Sequence, residues 1–449
     1  MPITYQGRVT KINKRCNLFI KLSYFSLGLS GTAPLLAIVI GGMILSLSTI
    51  ASLCVFGDLF LGKKIERTNI WKYRLTKYFL YWMGISLLSS FFGLVFFSFI
   101  DEQFAFTPLK FIPKILLYLL MLYLLSKQEK SEFRISWLIK GVMFGVWLNI
   151  IWSICDAALF YTSGESLTNT LFISYIKAAH IRYDSASLIY GAYIRSSGLN
   201  TDPANIGFFT AIGAAYAMIS RKFWLILLCV LSALSAVSFV GLVGILLVIL
   251  YELLFGKSIK HRALFITLGS VLIVGGFLLF KYSNAPTISL VRDAVELKAQ
   301  SKADGDESTE LRTKFITKFP DAIKHLPLSP LIGTGYYTAV YAYYQEGITY
   351  NGVYSGKNIP TEMENCYVEY FFDFGLIGLI FFCIFYFNAM RIYQNLSYRI
   401  NSFENRSIFA IMIGSIISFC FYHYTLYSVV MFTDIAAIVH LRNSFTTTH

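Results

Sequence analysis

The feature that most restricts what this chain can fold into is a succession of long apolar runs, separated by short polar segments. A helix needs roughly 20 apolar residues to cross a bilayer. The runs fall at about 17–32, 34–56, 78–100, 109–126, 136–160, 204–220, 223–237, 239–255, 263–281, 366–390, 407–424 and 426–441, which makes about twelve spans. Lys21 lies inside the first run, and 17–56 could bend rather than cross twice. The stretch 224–255 is too long for one helix, and 235–238 reads as a tight turn between two. Only 14% of the 449 residues are charged, too few to cover a soluble chain of this length, while 56% are hydrophobic and 17% aromatic. The expected fold is therefore all-α: one polytopic membrane helical bundle over 1–449, with no separate soluble domain and no internal repeat.

The net charge of +13 would raise the question of nucleic acid in a soluble protein. Here it reads as topology, and no nucleic-acid partner is expected. Arg8, Lys11, Lys14 and Arg15 precede the first run, and Lys63, Lys64, Arg67, Lys72, Arg74 and Lys77 follow the second. Lys127, Lys130 and Arg134 follow the fourth, Arg221 and Lys222 the sixth, and Lys257, Lys260 and Arg262 the eighth. Arg391, Arg399 and Arg406 follow the tenth, and Arg442 the twelfth. Every second loop is basic, as the positive-inside rule requires if both termini are cytoplasmic. Two long loops, 161–203 and 282–365, then lie outside. The first run lacks a small-residue cleavage site and should be retained. Cys16, Cys54, Cys155, Cys229, Cys366, Cys383 and Cys420 show no paired spacing, so neither a disulfide nor a zinc site is expected.

Three segments could carry chemistry. The first is Arg195-Ser196-Ser197-Gly198-Leu199-Asn200-Thr201-Asp202-Pro203, directly before a run. Gly198 and Asp202-Pro203 mark turns, and Asp202 could cap the helix that follows. The second starts at Glu310-Leu311-Arg312, has helical spacing over 311–324, and leads into Pro330-Leu331-Ile332-Gly333-Thr334-Gly335-Tyr336. Its glycines lack the third glycine and distal acid of a dinucleotide site. On its own, Arg312 could be a surface charge on an amphipathic helix. The third is Glu364-Asn365-Cys366-Tyr367-Val368-Glu369, followed by Asp373-Phe374-Gly375-Leu376-Ile377-Gly378. Acids at or inside a span are costly and usually have partners. Glu364 could equally be a helix cap. Asp434 is the main ionisable residue placed well inside a span.

Taken together, in this order and on one side, the three segments resemble the signatures of the O-antigen polymerase and O-antigen ligase families. The resemblance covers roughly 180–390. It implies a membrane glycosyltransferase of the C type (GT-C-like) in the bacterial cytoplasmic membrane, acting on its outer face without cofactor or metal. Donor and acceptor would be oligosaccharides linked to undecaprenyl pyrophosphate. A chain-length-regulating membrane protein is a partner by family analogy, alongside the membrane lipids. The family's two loop arginines carry over to Arg195 and Arg312. An arginine fork suits a pyrophosphate leaving group. Arg182, near His180, is a further cationic candidate that no motif supports. Gly198, Asp202, Gly333, Gly335, Tyr336 and Glu369 are candidates for binding pyrophosphate or sugar. Glu364 and Asn365, with Arg312, are the candidate catalytic set.

Two departures matter. The ligases place His before the Asn of the third motif, and this chain has Glu364, which favours a polymerase. A carboxylate can still serve as general base. Many relatives carry Ser-Arg at the 235–240 turn, and this chain has Ser238-Phe239. A basic contact is then missing there or supplied from elsewhere. Other function classes fit less well. A ligase would hand polymer to a lipopolysaccharide core. A twelve-span transporter should show two similar halves and mid-membrane charges, and no duplication is visible. No motif supports a receptor or scaffold. The polymer could be O-antigen, capsule or exopolysaccharide.

Overall fold

A computed structural model describes residues 3–40, 43–62, 73–100, 102–175, 187–190, 193–200, 203–256, 282, 292, 314–326, 330–335, 339–348, 365–400, 402–420 and 428–446. Within these, the chain forms helices α1 (Ile3–Thr32), α2 (Leu47–Leu61), α3 (Arg74–Ile100), α4 (Glu102–Ser126), α5 (Ser131–Ser163), α6 (Ala204–Ile219), α7 (Trp224–Ser235) and α8 (Phe239–Phe255). After the second long loop come α9 (Cys366–Arg399), α10 (Phe403–Ser418) and α11 (Ser428–Thr446). The loop itself holds short helices at Phe319–Ala322 and Ala339–Gln345. The helices α3, α5 and α9 are long and apolar enough to cross a membrane, and α2, α6, α7 and parts of α4, α8 and α11 are shorter apolar helices. The molecule is a helical membrane-type protein. The run expected at 263–281 lies outside the described residues.

One expectation is corrected. The run 34–56 is not a continuous helix. An antiparallel pair, β1 (Ala37–Ile40) and β2 (Met43–Ser46), precedes α2, with Ile40 opposite Met43. Ser46 then caps α2, its side chain accepting from the Thr49 amide. The turn expected at 235–238 is present: α7 stops at Ser235, Val237 takes a positive φ of 46°, and Ser238 caps α8.

Small residues set the packing. In a bilayer, helices associate where glycines let backbones approach. On α5, Gly141 and Gly145 are one turn apart; a methyl at Gly141 would strike the Phe25 carbonyl of α1, and one at Gly145 the Thr32 hydroxyl. On α1, Gly28 lies against Val142 at 2.8 Å by the same measure. Elsewhere Trp82 of α3 is buried among Tyr370, Phe382, Phe385 and Tyr386 of α9. The span acid Asp434 of α11 is buried and accepts from the Tyr386 hydroxyl at 3.0 Å.

At one end of α5 a buried ion pair joins three helices. Arg134 donates through Nε and Nη2 to both Asp58 oxygens at 2.7 and 3.0 Å, and through Nη1 to the Glu129 carbonyl at 2.6 Å. Tyr24 of α1 donates to the same carboxylate at 3.1 Å. Removing one partner leaves a buried charge uncompensated, so Arg134→Ala is expected to destabilise the protein by about 3–5 kcal/mol. Thermal unfolding of the purified variant in detergent measures this, and an unchanged transition would show that the pair contributes nothing net.

Candidate functional site

The first segment is built around two polar side chains of α5. Asp156 is fully buried and accepts four hydrogen bonds. Its Oδ1 takes the Ser166 hydroxyl at 2.9 Å and the Thr168 amide at 3.0 Å. Its Oδ2 takes the Ser187 and Ser196 hydroxyls at 2.8 and 2.6 Å. Two turns back, Asn149 accepts from the Leu199 amide and the Asn200 side chain through Oδ1, at 2.9 and 2.7 Å. Its Nδ2 donates to the Thr32 and Gly145 carbonyls, both at 2.8 Å. A short hairpin, β3 (Leu188–Tyr190) and β4 (Tyr193–Arg195), leads into this network. Gly198 is required twice over: its φ is +63°, and a Cβ would lie 2.6 Å from Ile206 and 2.9 Å from Asn149 Oδ1.

Arg195 comes off the end of that hairpin, half-buried. Its Nε donates to the Ala236 carbonyl at 3.4 Å, and the Ser196 amide donates to the Ser235 carbonyl at 3.1 Å. The cation thus rests on the α7–α8 turn. Among the described residues, the two Nη groups of Arg195 have no hydrogen bond to protein. Arg134 differs: its guanidinium is spent on Asp58 and Glu129.

The second and third segments interlock through their backbones. Helix α9 breaks at Gly375, with φ +70° and ψ −179°. The amides that the break releases, Leu376 and Ile377, donate to the Pro330 and Leu331 carbonyls at 2.8 and 3.1 Å. In return the Thr334 and Gly335 amides donate to the Phe372 and Asp373 carbonyls at 3.1 and 2.8 Å. Ser89 of α3 donates to the Ile332 and Asp373 carbonyls, and Gly335 packs on Ser90 and Gly93. Gly375 is about 15 Å along α9 from Asn365, at 1.5 Å per residue. Irregular backbone at that depth is tolerable only when its polar groups are paired inside protein. The four exchanged hydrogen bonds meet that condition. Gly333 and Gly335 are buried within this joint.

Gly375 allows a direct test. Its backbone region is essentially closed to other residues, and a Cβ would overlap the Leu331 carbonyl. Gly375→Ala is expected to cost at least about 3 kcal/mol, combining strain and overpacking. Protease resistance and melting of the purified variant measure it. Wild-type stability would mean that the break is not held as described.

At the start of α9, Asn365 is the N-cap: its Oδ1 accepts from the Tyr367 and Val368 amides, both at 3.1 Å. Its Nδ2 donates to the Cys420 carbonyl at 3.2 Å, and the Cys366 amide donates to the Phe419 carbonyl at 3.0 Å. Glu369 and Asp373 are buried on the following turns. Glu364, Arg312, Arg182, Asp202 and Tyr336 lie outside the described residues.

The first and third segments share one end of the bundle. Helix α6 runs antiparallel to α10, since Ile212 meets Gly414 while Tyr216 meets Phe403 at 6.1 Å. The start of α6, which follows the Arg195 segment, is therefore at the same end as Phe419 and Cys420, where Asn365 docks. Asp156 and Asn149, which order the Arg195 segment, escaped the sequence reading. An acid near the end of a span looks like an ordinary boundary residue. The available signal was the surplus of Ser and Thr at 166, 168, 187 and 196, with one acid to collect them.

Residues 222–383 match a family model described as O-antigen ligase. The match runs from α7 through the second long loop and past the break in α9. The Arg195 segment precedes it. No curated protein matches the chain.

Proposed function

The chain belongs to the O-antigen polymerase/ligase family, and from that premise we propose that it is a polymerase of surface polysaccharide. Members of this family act in membranes on lipid-linked polysaccharide. The substrates of this chain are oligosaccharide repeat units on undecaprenyl pyrophosphate. The reaction takes place on the outer face of the cytoplasmic membrane, at the end of the bundle that the first and third segments share. A hydroxyl of the acceptor unit attacks the anomeric carbon of the donor. The glycosidic bond forms as the bond to pyrophosphate breaks, and undecaprenyl pyrophosphate leaves. Glu364 takes the hydroxyl proton, and Arg195 and Arg312 stabilise the charge that builds on the leaving phosphate. Asn365, Asp202, Glu369, Tyr336, Arg182 and the glycines at 198, 333 and 335 shape the site around them.

The observation that carries this reading is Arg195: a cation held by its backbone at the bundle end, with neither Nη group hydrogen-bonded among the described residues. The description of the matched model favours a second reading, the ligase. Glu364, standing where the ligases have His, favours polymerase. A deletion strain separates them on a gel of surface glycan. Loss of a polymerase leaves single repeat units on the carrier or core. Loss of a ligase leaves long chains on the carrier and none on the core, and that result would replace the present reading. Unchanged glycan with altered uptake or export would point to a transporter instead.

A further inference from the structure

At the opposite end of α5 from Asp156, two lysines converge on one indole. Lys21 of α1 places its Nζ 5.3 Å from the Trp137 ring centroid and 5.6 Å from that of Phe133. Lys140 of α5 places its Nζ 4.8 Å from the same Trp137 ring. Phe25 packs edge-on to Trp137 at 6.4 Å and against Phe144 at 5.4 Å. Both lysines and Trp137 are half-buried. Among the described residues neither ammonium has an ion-pair partner. The neighbouring Glu404 accepts from the Ser136 hydroxyl at 2.6 Å.

A lone lysine in a span escapes by stretching its stem to the membrane surface. Two lysines gathered on one ring repel each other, and the ring compensates only in part. An anion between them removes the repulsion. Around the pair the surface is apolar: Leu18 is 56% exposed, Leu22 55% and Phe144 50%. An indole, two cations and an apolar flank match a phospholipid that carries net negative charge, with phosphate at the lysines and acyl chains along α1 and α5. We propose that the surface carrying Lys21 of α1 and Lys140 of α5, both beside Trp137, binds the phosphate of an anionic phospholipid through the two ammonium groups. This site is separate from the proposed catalytic end and does not depend on the polymerase reading.

The test uses the full chain in neutral detergent, titrated with dioleoylphosphatidylglycerol or dioleoylphosphatidylethanolamine and followed by native mass spectrometry. The wild type is expected to retain the anionic lipid selectively. Lys21→Gln with Lys140→Gln should weaken that retention about thirtyfold, at about 1 kcal/mol per lysine. Lys130→Gln, in the loop before α5, should leave it unchanged. Equal retention of both lipids by the wild type would overturn the proposal whatever the variants do. So would full selectivity in the double variant. A third arm adds inorganic phosphate at millimolar concentration: displacement of the lipid by phosphate alone would make this a free-phosphate site and overturn the lipid assignment.

Discussion

Arg195→Ala is expected to abolish polymer while leaving the protein inserted and folded. Among the described residues the guanidinium makes one long bond, 3.4 Å to the Ala236 carbonyl, so its loss should cost the fold little. The segment stays in place through groups that the substitution does not touch: the Ser196 hydroxyl on Asp156, the Leu199 amide on Asn149, and the Ser196 amide on Ser235. In the proposed mechanism, what disappears is the fork of N–H donors that would stabilise the developing phosphate charge. Removing one such donor costs about 3 kcal/mol, roughly a hundred- to a thousandfold in rate. Arg195→Lys keeps the charge and loses the fork, and should recover part of the activity. Arg312→Ala should have the same effect. Polymer ladders from a complemented deletion strain, at matched protein levels, are the measurement. Normal-length polymer from both alanine variants would remove the pyrophosphate role. Arg134→Ala is the useful contrast, because its guanidinium is fully paired with Asp58 and a carbonyl. That variant should lose stability first.

How far such roles were legible in the sequence depends on the range of the interactions behind them. The boundaries of α6, α7 and α8 follow from apolar length and from Ser at the turn, both local signals. The 37–46 hairpin was hidden because an apolar run is equally apolar as strand or helix. The clue was Gly41-Gly42 between two short segments rich in Ile and Val, a two-residue hairpin signal. The joint of 330–335 with α9 was out of reach for a different reason. A glycine inside a helical run is usually only a weak spot, and nothing local says that Leu376 and Ile377 donate to a loop more than 40 residues upstream. The same holds for Asp156, whose four donors come from three separate stretches. The arginine motif could be read from sequence; the carboxylate and carboxamide that order it required coordinates.

The last expectation concerns Glu364. A sugar hydroxyl is a poor nucleophile, and a positioned base accelerates its attack by about a hundred- to ten-thousandfold. Glu364 precedes Asn365, and a carboxylate at the start of a helix has an ordinary alternative occupation as its cap. In this protein the cap is Asn365, whose Oδ1 takes the Tyr367 and Val368 amides. The two roles therefore separate by substitution. Asn365→Ala should cost about 1 kcal/mol of stability through the cap, and Asn365→Asp should restore only that part, because a carboxylate accepts the two amides but cannot donate to the Cys420 carbonyl. Glu364→Gln should leave melting unchanged and reduce polymer at least a hundredfold, since it keeps the shape and removes the basicity. Glu364→His restores the residue of the ligases and should keep some activity. The experiment pairs melting curves with polymer ladders for all four variants. If Glu364→Gln gives wild-type ladders at matched protein levels, Glu364 is not the base, and the proton must leave through another group at the same end of the bundle.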